Sequence, residues 1–412
     1  MSKKLRIGLF GFGCVGGGLY EVLNQTALLD AEIVKIVVKD KTKKRSLPAS
    51  AFSFSAAAIL EDASINTVVE LIDDANAAYS IVTEALNKGK HVVSANKKLI
   101  AEHLDELINL AKEKNVSFIY EAAVCGSIPI LRNLEEYYNN DSLSGVEGIC
   151  NGTTNYILTQ TNAGKDYETA LKEAQELGFA ESDPTLDVDG FDSKYKLQIL
   201  IKHAFGISTT PEQVFNYGIR HVKPQDVRYA LEKGYHIKLF SRATKVGDKV
   251  VGFVAPHFIK SDHPAYNVAN EFNAVVVEAL FSDRQLFVGK GAGSYPTASA
   301  VLSDISALQF DYKYEYKRSN IENGLSFSDD FELKIYLGSK NRAILRTFPF
   351  IQKDEVFQSS DYNYTTGWVS FEELRKFDFN KEEELFFAVL PEPFKVGKKV
   401  GKKVVNEVNN NY

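Results

Sequence analysis

Residues 178–203 carry the densest set of groups able to do acid–base chemistry. Glu181, Asp183, Asp187, Asp189 and Asp192 crowd the first half, and Lys196 follows. From Asp192 onward the pattern is that of an amphipathic helix, on which Asp192 and Lys196, four residues apart, share one face. A carboxylate beside an amine is an adjustable acid/base pair. Taken alone, the same spacing also describes an exposed ion pair worth roughly a few tenths of a kcal/mol. Which reading holds depends on what positions the pair.

The chain opens with a short apolar strand, residues 5–10. Gly11, Gly13 and Gly16 follow around Cys14 and Val15, and then comes a stretch of helical spacing. This is G-x-G-x-x-G between a strand and a helix. The first glycine serves a tight turn, the second a bare backbone against a pyrophosphate, and the third close helix–strand packing. The helix N-terminus then faces the phosphates. The second strand, 32–38, ends at Lys39-Asp40-Lys41, with Lys43, Lys44 and Arg45 beyond. Asp40 suits the ribose hydroxyl of NAD, whereas the basic majority, Lys39 included, suits the extra phosphate of NADP. Read blandly, Lys43 to Arg45 are a solvated loop.

Strand and helix patterns then alternate: strands at 66–72, 91–94 and 117–121, helices at 75–88 and 102–114. This predicts a mostly parallel, doubly wound sheet. Ligands of such sheets sit off the carboxyl ends of the strands. That rim holds Gly11 to Gly16, Asp73, Asn96-Lys97 and Glu121. Helices follow at 156–161 and 167–177, the second ended by Gly178. Strands dominate from 218 to 279, an α+β arrangement. A second glycine loop, 289–293, enters a helix at 297–308. Residues 311–325 read as a linker. Strands at 331–337, 363–369 and 385–390 and a short helix at 372–376 make a small C-terminal α/β unit.

The expected organisation is therefore a Rossmann-type dinucleotide-binding domain at 1–130, completed by about 290–310, with an α+β substrate and dimerisation domain at 131–289. A small C-terminal α/β domain at 326–395 and a flexible tail at 396–412 follow. A net charge of −6 gives no electrostatic reason to expect nucleic acid as partner. No stretch is long and apolar enough to span a bilayer, and no signal-peptide core follows Met1. Three cysteines, Cys14, Cys125 and Cys150, argue against a disulfide framework and fit a reducing compartment. A cytoplasmic protein is expected. No histidine pair has zinc-ligand spacing.

The order of motifs resembles that of homoserine dehydrogenases from residue 5 to about 310. The resemblance rests on residues 11–16, 68–72, 95–98, 121–130, 151–158, 178–184, 190–196 and 291–297. It implies reversible NAD(P)-dependent interconversion of L-homoserine and L-aspartate 4-semialdehyde, in the biosynthesis of threonine, methionine and isoleucine, by a homodimer or dimer-based oligomer. By resemblance, Lys196 is the proton donor. Glu181 and Asp192 contact substrate, with Asp187 as a further acid, and Lys97 lies near nicotinamide and substrate. Gly178 and Gly293 lie near the cofactor, and Glu121 with the backbone oxygens of Val124, Gly126 and Ile128 matches a sodium site.

The sequence departs from that pattern in places. Asp73-Asp74 stand where glycines are common, and two acids there would repel a pyrophosphate unless they point away. Ser127 replaces a common glycine. Residues 326–395 have the size of an ACT regulatory domain but lack its usual ligand turn. Another amino-acid-pathway reductase on the same nucleotide domain, or a nucleotide-sensing protein without catalysis, are the competing readings. Fold alone does not decide among them.

Overall fold

The computed structural model describes residues 4–26, 29–320, 324–379, 382 and 384–397. Most of the expected tail, residues 398–412, lies outside the described residues. Six strands form a parallel sheet in the order β3-β2-β1-β4-β5-β6: β1 (Leu5–Phe10), β2 (Ala31–Val37), β3 (Phe52–Ser53), β4 (Thr67–Glu70), β5 (His91–Ser94) and β6 (Phe118–Ile119). Helices α1 (Cys14–Gln25), α2 (Ala57–Leu60), α3 (Ala75–Asn87) and α4 (Lys97–Glu113) connect them. Leu5, Ile7, Leu9, Val68, Val69, Val92 and Val93 are all fully buried. A strand covered on both faces needs such a continuous apolar run.

Helix α4 starts five residues before the expected helix. Asn96 caps it, its side chain accepting from Leu99 N at 3.0 Å. A kink at His103 (φ −128°, ψ 18°) breaks the helical period, so only the part beyond it shows as periodic in sequence.

The second region interleaves α5 (Ile130–Glu135), β7 (Leu143–Ile149), α6 (Gly152–Asn162), α7 (Tyr167–Glu176), α8 (Thr185–Val188), α9 (Phe191–Phe205), β8 (Phe215–Asn216) and α10 (Pro224–Glu232). These are followed by β9 (His236–Val246), β10 (Lys249–Ile259), β11 (Phe272–Ala279), β12 (Asp283–Lys290) and α11 (Ser294–Leu308). β7 was not legible as a strand because its pattern is interrupted by glycines. Gly148 is required there, since a Cβ would meet Ala274 O at 2.4 Å.

Beyond α11 come β13 (Ser326–Phe327), β14 (Phe331–Ser339), α12 (Arg342–Thr347), β15 (Phe350–Gln358), β16 (Asn363–Ser370), α13 (Phe371–Lys376), β17 (Leu385–Val389) and β18 (Lys395–Val396). These C-terminal strands continue the second sheet, whose order is β12-β11-β7-β9-β10-β17-β14-β16-β15, with β8 and β13 pairing β10 and β18 pairing β14. The stretch expected as a linker is packed: Tyr314 and Tyr316 are buried, and the hydroxyls of Tyr316 and Tyr120 lie 2.9 Å apart.

Helix α9 packs against α4 of the first region and against α5, β7, β9 and β10 of the second. It is enclosed along most of its length, with Asp192, Lys196, Leu197, Ile199, Leu200 and Ile201 all buried and only Phe191, Lys194 and Tyr195 partly exposed. The expected amphipathic helix is thus an interior one. Its acid and amine are part of the core between two sheets, which removes the exposed ion-pair reading.

Candidate active site

Lys196 is 7 % exposed and Asp192 4 %. Burial opposes charge on both groups, and their mutual attraction overrides it. For Asp192 the ammonium groups of Lys196 and Lys97 outweigh desolvation and hold its carboxyl well below the usual range. For Lys196, desolvation is outweighed by Asp192, and the amine is held protonated above its ordinary range. The contacts are direct. Lys196 Nζ donates to Asp192 Oδ2 and to Cys150 O, both at 2.7 Å. Among the described residues no third acceptor is bonded to it. An ammonium has three N–H donors, so one is left for a ligand oxygen.

Lys97, the first residue of α4, reaches Asp192 Oδ1 at 2.8 Å from the other sheet's rim. Its side chain is 43 % exposed, so this ammonium is open to solvent while that of Lys196 is buried. Asn151 completes the group. Its amide donates to Asp192 Oδ2 at 2.9 Å and to Asp187 Oδ1 at 2.6 Å, and its carbonyl caps α6 by accepting from Thr154 N at 2.9 Å. Burial and the neighbouring charge of Asp192 push the Asp187 carboxyl up. Asn151 is not among the site residues expected from sequence. Its type and its place one residue before a helix were the signal for the cap, but nothing local marked its contacts with residues 36 and 41 positions away.

The other predicted carboxylates fall elsewhere. Glu181 is exposed between α7 and α8; among the described residues no hydrogen bond or ion pair joins its carboxylate to Lys97, Asp192 or Lys196. Asp183 Oδ1 accepts from Thr185 N at 3.1 Å. Asp189 pairs with Arg220 at 2.8 Å. The first is a local turn contact, and the second joins two loops 31 residues apart.

The glycine loop separates the three expected roles. Gly11 has φ +94°, and a Cβ there would meet Leu71 O at 2.4 Å. At Gly16 a Cβ would meet Gly11 O at 2.3 Å. At Gly13, which precedes α1, a Cβ would meet nothing within 4 Å. Sterics of the protein thus demand the first and third glycines, while the second borders open space, as a backbone that admits a pyrophosphate must. Cys14 is exposed at the first turn of α1, and Val15 is half-buried beside it.

The second glycine loop meets the first. Ser294 Oγ, after Gly293, donates to Cys14 O at 2.8 Å, and α1 packs on α11. Gly178 follows α7 with φ +77° and open space at its Cβ position.

Asp73 and Asp74 differ. Asp74 caps α3, accepting from Asn76 N and Ala77 N at 3.1 Å each. Its charge is engaged at a helix start; Asp73, exposed beside it, makes no such cap among the described residues. Asp40, though exposed, is engaged by its own loop, accepting from Thr42 N at 2.7 Å. Lys39, Lys41, Lys43 and Lys44 are exposed around it, and the Arg45 guanidinium lies over the Phe52 ring at 5.3 Å.

Glu121 is buried, and its carboxylate accepts from Leu131 N at 2.7 Å and Arg132 N at 2.9 Å. Of the backbone oxygens expected beside it, that of Ile128 accepts from Ile130 N at 2.9 Å. Among the described residues no N–H is bonded to those of Val124 or Gly126. No cluster of three or more His, Cys, Asp or Glu side chains suited to a metal occurs among the described residues.

A family model described as "Homoserine dehydrogenase" matches residues 129–306, and one described as "Homoserine dehydrogenase, NAD binding domain" matches residues 11–121. The chain belongs to the homoserine dehydrogenase family. It is 35 % identical over 398 residues to the homoserine dehydrogenase of Bacillus subtilis, covering 93 % of this chain and 90 % of that one. A crystal structure of a homoserine dehydrogenase from Thiobacillus denitrificans superposes with a TM-score of 0.82 at 30 % identity, covering 95 % of this chain and 99 % of that one. A hyperthermophilic archaeal homoserine dehydrogenase in complex with NADPH superposes with a TM-score of 0.65 at 28 % identity, covering 76 % and 99 %.

As a member of this family the protein is an NAD(P)-dependent oxidoreductase, with a Rossmann-type nucleotide domain and a second α/β region. The nucleotide-domain match ends at Glu121 and the other begins at Pro129. The Lys97–Asp192 bridge therefore joins residues of the two matched regions. No helix among the described residues is long and apolar enough to cross a membrane.

Proposed function

We propose that the enzyme reduces L-aspartate 4-semialdehyde to L-homoserine, reversibly, with Lys196 as the group that gives and takes the proton. The observation that carries this reading is the Lys196 ammonium, buried and bonded to Asp192 Oδ2 and Cys150 O at 2.7 Å each, with one donor unused. When bound, the nicotinamide supplies the hydride. Lys196, held protonated by Asp192, donates to the carbonyl oxygen, stabilises the alkoxide as it forms and passes its proton. Asp192 fixes that amine and is itself anchored by Lys97 and Asn151. Lys97, at the mouth of the cleft, offers a second positive group to substrate or nicotinamide. Asp187, Asp192 and Glu181 supply the negative side that an α-ammonium group requires; Glu181 takes this role by closing on the ligand from its exposed loop.

The cofactor lies along Gly11, Gly13, Cys14, Val15 and Gly16, with Gly178 and Gly293 bordering it. NADP is the favoured form over NAD, because Asp40 is turned into its own loop while Lys39 and its basic neighbours are free to meet a phosphate. Sodium, an ion of hard oxygen ligands, would rest on the free carbonyls of Val124 and Gly126 in the loop that Glu121 and Ile128 brace. The working unit is a dimer in the cytoplasm serving threonine, methionine and isoleucine synthesis. Residues 1–130 with about 290–310 form the nucleotide domain, 131–289 the catalytic and dimerisation domain, and 326–395 an ACT-like regulatory unit.

Purified enzyme given L-aspartate 4-semialdehyde should oxidise NADPH faster than NADH at equal concentration. Lys196→Ala should lower that rate roughly 10²–10⁴-fold with NADPH binding retained. Absence of turnover with either cofactor would overturn the substrate assignment, and full turnover of the variant would remove Lys196 from the proton path.

A further inference from the structure

Glu70 ends the central strand β4 with its carboxylate fully buried. No cation pairs with it among the described residues. Desolvation of that kind is costly and is met here by hydrogen bonds alone. Glu70 Oε1 accepts from Ile72 N at 2.7 Å, and Oε2 from Ser94 Oγ at 2.6 Å. Ser94 ends the neighbouring strand β5. Its Oγ accepts in turn from Asn96 N at 3.1 Å. Asn96 Nδ2 returns to Ile72 O at 3.0 Å, and Asn96 Oδ1 caps α4 through Leu99 N. The ring closes on itself: Glu70, Ser94, Asn96 and Ile72 tie two strand ends together. The next residue is Lys97, whose amine reaches Asp192 at 2.8 Å.

We propose that Glu70 is a positioning residue for the reaction, setting the start of α4 through Ser94 and Asn96 so that Lys97 meets Asp192. An apolar side chain at position 70 would suit a strand end buried on all sides better than a carboxylate, unless the carboxylate orders its neighbours. The two groups it orders are the rim turn at Ile72 and the turn that launches Lys97. Lys97 is long and 43 % exposed, so its reach depends on where its backbone begins. Displacements of about 1 Å near a reacting centre can cost on the order of 10²-fold in rate. Among the described residues no hydrogen bond or ion pair joins Glu70 to Lys97 or Asp192; it acts through Ser94 and Asn96. The inference rests on the reading of Lys196 and Asp192 given under the proposed function.

The test is a double-mutant cycle on the full chain, with NADPH-dependent reduction of L-aspartate 4-semialdehyde as the assay and NADPH binding titrated separately. Glu70→Ala and Ser94→Ala should each lower kcat about 10- to 100-fold, with the Kd for NADPH changed less than about twofold. Glu70→Gln, whose amide oxygen still accepts from Ile72 N and whose amide N–H still meets Ser94 Oγ, should recover most of the loss. In a Lys97→Met background, Glu70→Ala should cost little more. An equal loss in both backgrounds would show Glu70 acting independently of Lys97 and overturn the proposal, as would a parallel loss of NADPH binding. Ser94→Ala and Glu70→Gln carry the comparison if Glu70→Ala does not fold. Lys196→Ala, assayed alongside, separates the two readings. If it abolishes turnover while the Glu70 and Ser94 variants stay fully active, only the positioning role fails. If it stays active, the underlying reading of Lys196 fails.

Discussion

Lys97 Nζ and Asp192 Oδ1 lie 2.8 Å apart across the boundary between the parallel sheet's rim and the interior helix of the second region. The bridge makes Asp192 a shared counter-ion, with Lys97 on one oxygen and Lys196 on the other. Two cations on one buried carboxylate keep it ionised in spite of its burial. That ionised carboxylate then keeps Lys196 protonated. The protonated state of the proposed donor is thereby maintained by a contact to the half-exposed Lys97.

Asp192→Asn should break this dependence. Asp192 is the main group raising the Lys196 amine. Without it, burial is opposed far less and the amine loses its proton at lower pH. In the proposed mechanism the reductive direction needs that proton on Lys196. The alkaline limb of the kcat profile should therefore move to lower pH, with a lower plateau. A pH–rate series with NADPH measures it, and an alkaline limb left in place would separate Asp192 from the state of Lys196.

Asn151 allows a separation of stability from activity. Asn151→Ala loses the cap of α6, worth about 1 kcal/mol, and leaves Asp187 and Asp192 without the amide between them. Asn151→Asp keeps a capping oxygen but adds a third negative charge beside two carboxylates. Both variants should melt below wild type, the alanine variant for its lost cap and the aspartate variant for the repulsion of a third buried carboxylate, and the aspartate variant should lose the more kcat/KM. An aspartate variant with wild-type melting temperature and activity would show that residue 151 does no more than cap.

The glycine loop predicts opposite outcomes for neighbouring substitutions. Gly16→Ala drives a Cβ to within 2.3 Å of Gly11 O, forcing backbone shifts that cost about 1–3 kcal/mol. Gly13→Ala meets no protein atom within 4 Å. It should melt near wild type while weakening NADPH binding, because its methyl occupies the space beside the helix N-terminus. Thermal melts and fluorescence titration of NADPH distinguish them. Intact cofactor affinity in Gly13→Ala would place the pyrophosphate elsewhere.

Local pattern made much of the fold legible. The parallel sheet announced itself through continuous apolar runs punctuated by Gly11, Gly89 and the capping residues. Phe350–Gln358 did not read as a strand because it is an exposed edge, rich in charge, with pairing on one side. At the site, Lys196 and Asp192 could be read as a pair from spacing alone, but their burial could not. It arises because α9 is packed between α4, α5 and the second sheet, a property of tertiary arrangement. The same holds for Cys150, which contributes a carbonyl rather than its thiol. It also holds for Asp74, whose sign seemed wrong for a phosphate rim until its carboxylate was found capping α3.

Asp226 offers a stability test away from the active site. It lies on α10, fully buried, and accepts from Tyr336 OH at 2.8 Å and Tyr362 OH at 2.7 Å on Oδ1, and from Lys223 N at 2.9 Å on Oδ2. It thereby pins the C-terminal strands to α10. Burial pushes its carboxyl from an ordinary 3.8 up to about 7, against the lowering by those hydrogen bonds. Between these two values the folded protein keeps a proton that the unfolded chain has released. The stability this group contributes is full below about pH 4 and falls as pH rises towards 7, after which the cost is constant. Asp226→Asn cannot ionise and lacks this slope. The variant loses some hydrogen-bond quality at every pH, so it starts less stable than wild type. The gap between them should narrow from about pH 4 to pH 7 and stay fixed above. Urea unfolding at several pH values across that range measures the gap, and a gap independent of pH would show that Asp226 is ionised throughout.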